Sequence, residues 1–491
     1  MNDLDAGMAH LRAGRWQEGI ERLRAVLARE PKSAEVWSNL GFALRATGQA
    51  AEAREALQRA VALRPQLADA WNLLGLVEQE SDRHEDAWRH FDRAIALRLD
   101  FAFAWMNRAN SEQALGRIDA ALAGYARALE LAPASGAIHY NLGHLHQKVT
   151  ARLDEALRSY REAIRLEPGL ADAHLNLAHV LLLLGRFDEG WREFAWRPQR
   201  RLYAAARARL GVPYEPPRAE PWPRRLAVRA EQGLGDILFF LRYAAEAAAR
   251  GTELAFNGDA RLHPLLARTG LFVRLSDDPA VSSSDGTEIL AGDLPLLFPD
   301  LHAAGALPPP FRLPVDAGAR ERMAERLGAA GPRPWIALTW RAGERSAGLF
   351  DRLFKEAPIA AFGALREMAA TWISVQRAPM TADSEALESA LGAPLHDFSA
   401  INADLDSALA AMDLVDEYVG VSNTNMHLRA GVGHGARVLV PFTTEWRWGA
   451  QGQSPWFPAM TTYREAPRGD WSNAFAALAR DLATGPARRR S

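Results

Sequence analysis

The chain has 491 residues, too many for one hydrophobic core, and this length predicts two or three domains. With 48% hydrophobic and 24% charged residues it is ordinary for a folded chain, and its formal net charge of −2 argues against nucleic acid as a main partner. It contains no cysteine, which excludes disulfides, thiolate metal sites and a cysteine nucleophile.

In chain order, the acidic start MNDLDAGMAH lacks the apolar core of a signal peptide. No apolar run approaches the roughly 18 residues of a membrane span, so a cytoplasmic protein with no membrane span is expected. Next comes a repeat. Pro31, Pro65, Pro133 and Pro168 lie 34, 68 and 35 residues apart, and Leu99 fills the missing beat. Between beats the chain reads WSNLGFALRATGQAAEAREALQRAVALRP, then WNLLGLVEQESDRHEDAWRHFDRAIALRL, then WMNRANSEQALGRIDAALAGYARALELAP, and onward. Two amphipathic helices per 34 residues, in five or six copies, resemble the tetratricopeptide repeat. The resemblance implies an all-α superhelix over residues 1–197 with a groove for a protein partner.

Asn39, Asn107, Asn141 and Asn176 occupy one repeat position, with Leu73 breaking the series. Carboxamides both donate to and accept from a peptide backbone. A similar ladder lines the groove of the O-linked N-acetylglucosamine transferases, so these asparagines are candidates to hold an acceptor; tying neighbouring helices together is the other reading. His139, His144, His146, His174 and His179 cluster in sequence without a metal-ligand spacing and read as repeat-surface residues.

The stretch PYEPPRAEPWPRR carries five prolines and predicts a rigid linker over residues 198–224. Beyond it, short apolar runs alternate with amphipathic ones. RLAVRA, TELAFNG, LFVRLS and TEILAG predict one set of strands; PWIALTW, TWISVQR, DLVDEYVGVS and ARVLVPF predict a second. Alternating strands and helices imply parallel sheets and two Rossmann-like domains, at residues 225–318 and 319–491, with a cleft between them.

Three stretches carry a more specific likeness: EQGLGD with FLRYA, DLVDEYVGVSNTNMHLRAGVG, and PFTTEWRWG with SPWFP. They resemble bacterial repeat-fused glycosyltransferases related to the ADP-heptose heptosyltransferases, with the paired-Rossmann GT-B fold. The order of repeats followed by such a pair also resembles the O-linked N-acetylglucosamine transferases. The resemblance implies a metal-independent, inverting transfer from a nucleotide-sugar to a Ser or Thr hydroxyl of a protein, such as flagellin or another surface protein. No cofactor is called for beyond that donor substrate. A non-catalytic repeat adaptor with a degenerate transferase domain, and a transferase acting on lipid-linked saccharide, are the alternatives.

Asp236 follows the glycine turn at the end of the first predicted strand; the resemblance implies a general base, and a first-turn acid stabilising its helix is the other reading. Gly233 and Gly235 would permit a tight turn and close approach of a substrate. Ser422, Asn423, Thr424, Asn425 and His427 open a helix whose free N–H groups suit a diphosphate. Thr424 and His427 match the relatives, whereas Asn423 stands where they carry aspartate. That exchange points away from heptose, toward an anionic sugar or a different nucleotide; simple helix capping is the competing reading. Lys355, in LFKEAP, sits in an aromatic-Lys-x-x-Pro stretch like one whose lysine neutralises donor phosphate in the O-linked N-acetylglucosamine transferases, with Arg341 and Arg345 as supplements. Glu445, Trp446, Arg447 and Trp448 form a loop that would stack on a base or sugar, or simply pack. Asp404 and Asp406 form an Asp-x-Asp read as helix-opening acids and not as metal ligands.

Overall fold

The computed structural model describes residues 3–278, 287–342, 355–442 and 445–484. The chain divides into two compact units, one running to Ala173 and the other beginning at His174.

The first unit consists of helical hairpins: α1 (Asp3–Arg12) with α2 (Trp16–Arg29), α3 (Ala34–Ala46) with α4 (Ala50–Leu63), α5 (Ala68–Glu80) with α6 (His84–Leu97), α7 (Ala102–Ala114) with α8 (Ile118–Leu131), and α9 (Gly136–Lys148) with α10 (Leu153–Leu166). The 34-residue period has a local cause. The indoles of Trp37, Trp71 and Trp105 donate to the carbonyls of Pro31, Pro65 and Leu99 at 2.9, 3.0 and 3.1 Å, and His139 makes the same reach to Pro133 at 3.2 Å. Leu99 keeps the beat because the bond uses a backbone carbonyl, which any residue supplies. Inside each hairpin a small residue sets the approach. A methyl group on Gly41 would lie 2.5 Å from the Leu57 side chain, and one on Gly75 2.5 Å from the ring of Phe91, so alanine would push those helices apart.

The division at Ala173 falls inside α11 (Ala171–Leu183). The helix that follows, α12 (Phe187–Phe194), belongs with the α/β part of the chain and not with an array ending at residue 197. Its buried Trp191 packs edge-on against Phe240, Tyr243 and Trp446, at centroid distances of 5.8, 6.3 and 5.2 Å. The expected linker over 198–224 is also corrected in its first half, where α13 (Pro198–Arg209) forms with proline at its first turn. No residue of α13 is buried, so it has no apolar period to betray it; Ala and Arg simply favour the helix.

A buried charge network ties this segment to the first sheet. Arg197, 1% exposed, donates to Asp293 at 2.6 Å and to Glu231 at 2.7 Å, and Asp293 also accepts from Arg200 at 2.9 Å and Tyr214 at 2.8 Å. Burial disfavours the charge on Arg197, but the carboxylates of Asp293 and Glu231 outweigh it and raise its pKa.

The first sheet contains β1 (Arg225–Arg229), β2 (Glu253–Asn257), β3 (Phe272–Ser276) and β4 (Thr287–Leu290), all parallel, in the order β3-β2-β1-β4. In β1 and β2 buried residues alternate with half-buried ones, so one face packs on α14 (Leu234–Ala249) and the other is more open. α15 (His263–Ala267) and α16 (Pro299–Ala303) complete this half.

The second sheet has six strands, β5 (Trp335–Thr339), β8 (Thr371–Ser374), β9 (Leu395–Asp397), β10 (Glu417–Val421), β11 (Arg437–Val440) and β12 (Thr461–Arg464), in the order β12-β11-β10-β5-β8-β9 and all parallel. β5, β8, β10 and β11 are buried along their whole length, as strands covered on both faces must be. α17 (Ala317–Ala330), α18 (Thr381–Leu391), α19 (Leu405–Leu414), α20 (Thr424–Gly431) and α21 (Ser472–Ala483) are its helices. A small antiparallel pair, β6 (Arg341–Ala342) with β7 (Lys355–Glu356), stands beside it. The edge strands β9 and β12 read LHD and TTYR and lack the apolar run that announces the others.

His302 shows how this core responds to acid. It is buried, its Nε2 shares a hydrogen bond with the Tyr243 hydroxyl at 3.0 Å, and burial lowers its pKa from 6.5 to about 4. The folded state takes this proton only near pH 4, while the unfolded chain takes it near 6.5, so acidification through that window draws the protein toward unfolding. At pH 5 the loss from this group is about 2 kcal/mol, 1.5 pH units below the unfolded value at about 1.36 kcal/mol per unit. Urea midpoints at pH 7 and pH 5 are expected to differ accordingly, and His302→Gln, which still pairs with Tyr243, is expected to narrow the difference.

Candidate site at the two switch points

In a parallel α/β sheet the crevice lies where the strand order reverses, outside the carboxyl ends of the strands. In the second sheet the reversal falls between β5 and β10, since β8 and β9 extend one way and β11 and β12 the other. In the first sheet it falls between β1 and β4. The carboxyl end of β1 leads to Glu231–Asp236, and that of β10 to Ser422–His427. Both predicted motifs therefore stand at switch points.

The first turn of α14 meets the first turn of α20 because Gly235 has no side chain. A Cβ there would sit 3.0 Å from the His427 ring and 3.5 Å from the Thr424 Cα. The tight turn expected of the two glycines is corrected: Gly233 caps α14 at φ −66°, an extended backbone open to any residue, and a Cβ on it would meet nothing closer than 3.7 Å. Gly235 matters for helix approach, not for backbone conformation.

Asp236 stands in the first turn of α14, as the helix-stabilising reading has it, while Gly233 takes the cap position. The Asp236 carboxylate accepts a hydrogen bond from the Arg447 guanidinium and its side chain remains 36% exposed. Arg447 also donates to Glu445, and Glu445 accepts from Lys355 Nζ at 2.6 Å. Lys355 reaches the Ser422 carbonyl at 3.4 Å. Asp236, Arg447, Glu445 and Lys355 thus form one alternating chain of charges from the first sheet to the second. Burial alone would raise the Glu445 carboxyl, but Lys355 and Arg447 hold it well below the usual range. Burial opposes the charge on Arg447 too, and Asp236 and Glu445 more than restore it.

His427 is 7% exposed, sits edge-on to Phe457 at 5.4 Å, and makes no hydrogen bond among the described residues. Burial drives its pKa far below 6.5, so its imidazole is neutral at physiological pH. Arg242, 2% exposed, donates to the carbonyls of Phe239, Pro308 and Trp456 and lies over the rings of Phe239 and Phe457 at 4.3 and 4.9 Å. Burial pushes its pKa down to about 9, which still leaves a cation behind α14. Nothing in the sequence pattern marked Arg447 as the partner of Asp236, Glu445 as the partner of Lys355, or Arg242 as a buried cation. A compositional signal does mark Lys355: it is one of three lysines, with Lys32 and Lys148, among 58 basic residues.

Asn423 is a cap. Its side-chain oxygen accepts from the Asn425 and Met426 N–H groups, at 2.9 and 3.4 Å. It also closes a ring: Tyr418 donates to Asn423 Oδ1 at 3.0 Å, Asn423 Nδ2 donates to Thr339 Oγ1 at 2.9 Å, and the Thr339 hydroxyl lies 2.8 Å from that of Tyr418. Three donors serve three acceptors, and aspartate in place of Asn423 removes one proton from the ring. Asn423→Asp is therefore expected to cost about 1–3 kcal/mol in chemical denaturation, whereas Tyr418→Phe combined with it should recover part of that loss.

The remaining predicted residues disperse. Arg341 spends its guanidinium on Asp383 at 2.9 Å and the Ala378 carbonyl at 2.7 Å, and so does not join Lys355. Arg345 lies outside the described residues. Asn425 is buried and donates to the Val375 carbonyl at 3.5 Å. Trp446 and Trp448 are buried packing residues, the latter stacked on Phe457 at 5.2 Å, and offer no open platform for a base or sugar. Asp404 caps α19, and Asp406 pairs with Arg268. In the repeats, Asn107 is 5% exposed and donates to Asn72 Oδ1 at 3.0 Å; Asn176 is 1% exposed. These two are corrected from groove residues to buried ones. Asn141 donates to the Ala137 carbonyl at 3.0 Å, and Asn39 is half-buried.

Comparison with known proteins places the repeats. Family models described as tetratricopeptide repeats match residues 10–77, 104–135 and 152–185. The N-terminal region is thus a tetratricopeptide-repeat array, an architecture that presents surfaces to protein partners. Protein FlbA of Caulobacter vibrioides is 27% identical over 331 residues, which cover 62% of this chain and 53% of FlbA; the chain spans about half the length of this relative. Among solved structures, a thermophilic TPR protein of Thermus thermophilus is 24% identical, covering 37% of this chain and 98% of its own, at a TM-score of 0.33. The type IV pilus biogenesis factor PilW is 17% identical, with 41% and 96% covered and a TM-score of 0.38. MamA of Desulfovibrio magneticus is 20% identical, with 34% and 93% covered and a TM-score of 0.30. Among the described residues no helix is long and apolar enough to cross a membrane.

Proposed function

We propose that the chain is a cytoplasmic GT-B glycosyltransferase whose repeats recruit a protein acceptor and whose paired sheets transfer a sugar from a nucleotide-sugar to an acceptor Ser or Thr hydroxyl. One observation carries the reading: a half-buried carboxylate, Asp236, at the switch point of one parallel sheet shares a charge chain with Lys355 at the switch point of the other. The reaction needs this pairing of a proton acceptor with a cation for the departing diphosphate. In this reading Asp236 takes the hydroxyl proton as the oxygen attacks the anomeric carbon. Lys355 and the positive end of the α20 dipole receive the charge left on the diphosphate, and neutral His427 donates a hydrogen bond without adding to it. Flagellin or another surface protein is the acceptor class implied by the family resemblance.

The internal pairing of all four charges favours a second reading, a repeat adaptor on a degenerate transferase scaffold. Calorimetry of the full chain against nucleoside diphosphates and nucleotide-sugars separates the two. Micromolar binding of one nucleotide class, with a sugar mass appearing on a co-expressed acceptor, supports transfer; absence of binding across the whole panel leaves the adaptor.

A further inference from the structure

The charge chain does more than line a site. We propose that Glu445 and Arg447 form a latch through which donor binding at Lys355 releases Asp236 for acceptor deprotonation. This rests on the transferase reading above and adds a mode of regulation to it. Glu445 has two cations and Arg447 has two carboxylates, and each shared group is held from both sides. Arg447 is 7% exposed, so it gains little from water and must choose among fixed partners.

In the structure Lys355 is neutralised by Glu445, and Asp236 is occupied by Arg447. A carboxylate oxygen already holding a guanidinium N–H is not free to receive the hydrogen of an acceptor hydroxyl. An incoming diphosphate carries more charge than Glu445 and competes with it for the Lys355 ammonium. Glu445, displaced from Lys355 and repelled by phosphate, then takes the whole Arg447 fork. Arg447 already donates one guanidinium nitrogen to Glu445 and another to Asp236, so turning the fork onto one carboxylate requires only a side-chain rotation. Asp236 loses its guanidinium partner, and its carboxylate is free to receive the acceptor hydroxyl's hydrogen, only once donor is in place. No bond to carbon is made in this step; a salt bridge at each end of the chain is exchanged. Arg447 and Glu445 are positioning residues in this scheme.

The test uses a readout that a purely structural role would not produce. Inorganic pyrophosphate is titrated into the full chain by calorimetry, for the wild type, Glu445→Gln and Glu445→Asp. If Glu445 competes with phosphate for Lys355, its neutralisation tightens pyrophosphate binding by about tenfold, an increment of about 1.4 kcal/mol. Glu445→Asp keeps the charge but is one methylene short of spanning both cations, and is expected to move affinity the same way by a smaller factor. It also keeps the test valid should the glutamine variant fold poorly. Affinity that is unchanged or weaker in folded variants overturns the latch while leaving the transferase reading standing. Failure of pyrophosphate and of every nucleoside diphosphate to bind the wild type overturns both.

Discussion

Asp236→Asn is expected to lower sugar transfer to an acceptor hydroxyl by about 10²–10⁴-fold, the range for loss of a positioned general base, while nucleotide affinity changes little. The variant is nearly isosteric. Its amide oxygen still accepts from Arg447, so the first turns of α14 and α20 keep their approach through Gly235. What disappears is the only group in the chain of four that can take a proton from a hydroxyl in the exposed part of the site; Glu445 is held between two cations well below the usual carboxylate range. Intact mass spectrometry of a co-expressed acceptor measures the loss, and calorimetry with the nucleotide measures binding. A variant that transfers sugar at the wild-type rate removes Asp236 from the base role. A variant that loses nucleotide binding in parallel shows instead that the carboxylate serves to organise Arg447.

The largest effect on stability is expected from Arg197→Met. Arg197 lies between Asp293, 0% exposed, and Glu231, and removing it strands two buried carboxylates with too few donors. Breaking a buried pair from one side costs about 3–5 kcal/mol, because the remaining charge has neither water nor a partner. Arg200 and Tyr214 still serve Asp293, which places the loss toward the lower end of that range. Urea denaturation of the full chain reads this out, and the transition of the α/β unit is the one expected to move. Arg197→Met combined with Glu231→Gln should recover part of the loss, since the second change removes an unpaired charge. A loss below about 1 kcal/mol would mean that the network relaxes into water, as exposed ion pairs do.

The parts of this protein that repeat, alternate or cap were legible in advance. The 34-residue spacing, the glycines at helix contacts and the apolar runs of β1, β2, β5, β8, β10 and β11 depend on local periodicity, which a sequence carries on its face. The edge strands β9 and β12 escaped because an edge needs little apolar surface, and α13 escaped because a helix with no buried residue has no period. The asparagine series fell the other way. Identical spacing gave Asn39, Asn107, Asn141 and Asn176 one repeat position, yet Asn107 and Asn176 are buried while Asn39 is not, because burial depends on what the next helix brings.

The site divides along the same line. By itself the sequence determined that a helix start carrying an acid follows one strand and that a capped helix start follows another, since strand ends and caps are written within a few residues. Tertiary structure alone decided that Asp236 answers to Arg447, 211 positions away, and that Lys355 answers to Glu445, 90 positions away. It also moved Arg341 out of the site to Asp383 and turned Trp446 and Trp448 inward. Charges couple through space over a few ångströms whatever their separation along the chain, so the pairing of Asp236 in EQGLGD with Arg447 was set by the meeting of two sheets and by a glycine small enough to allow it.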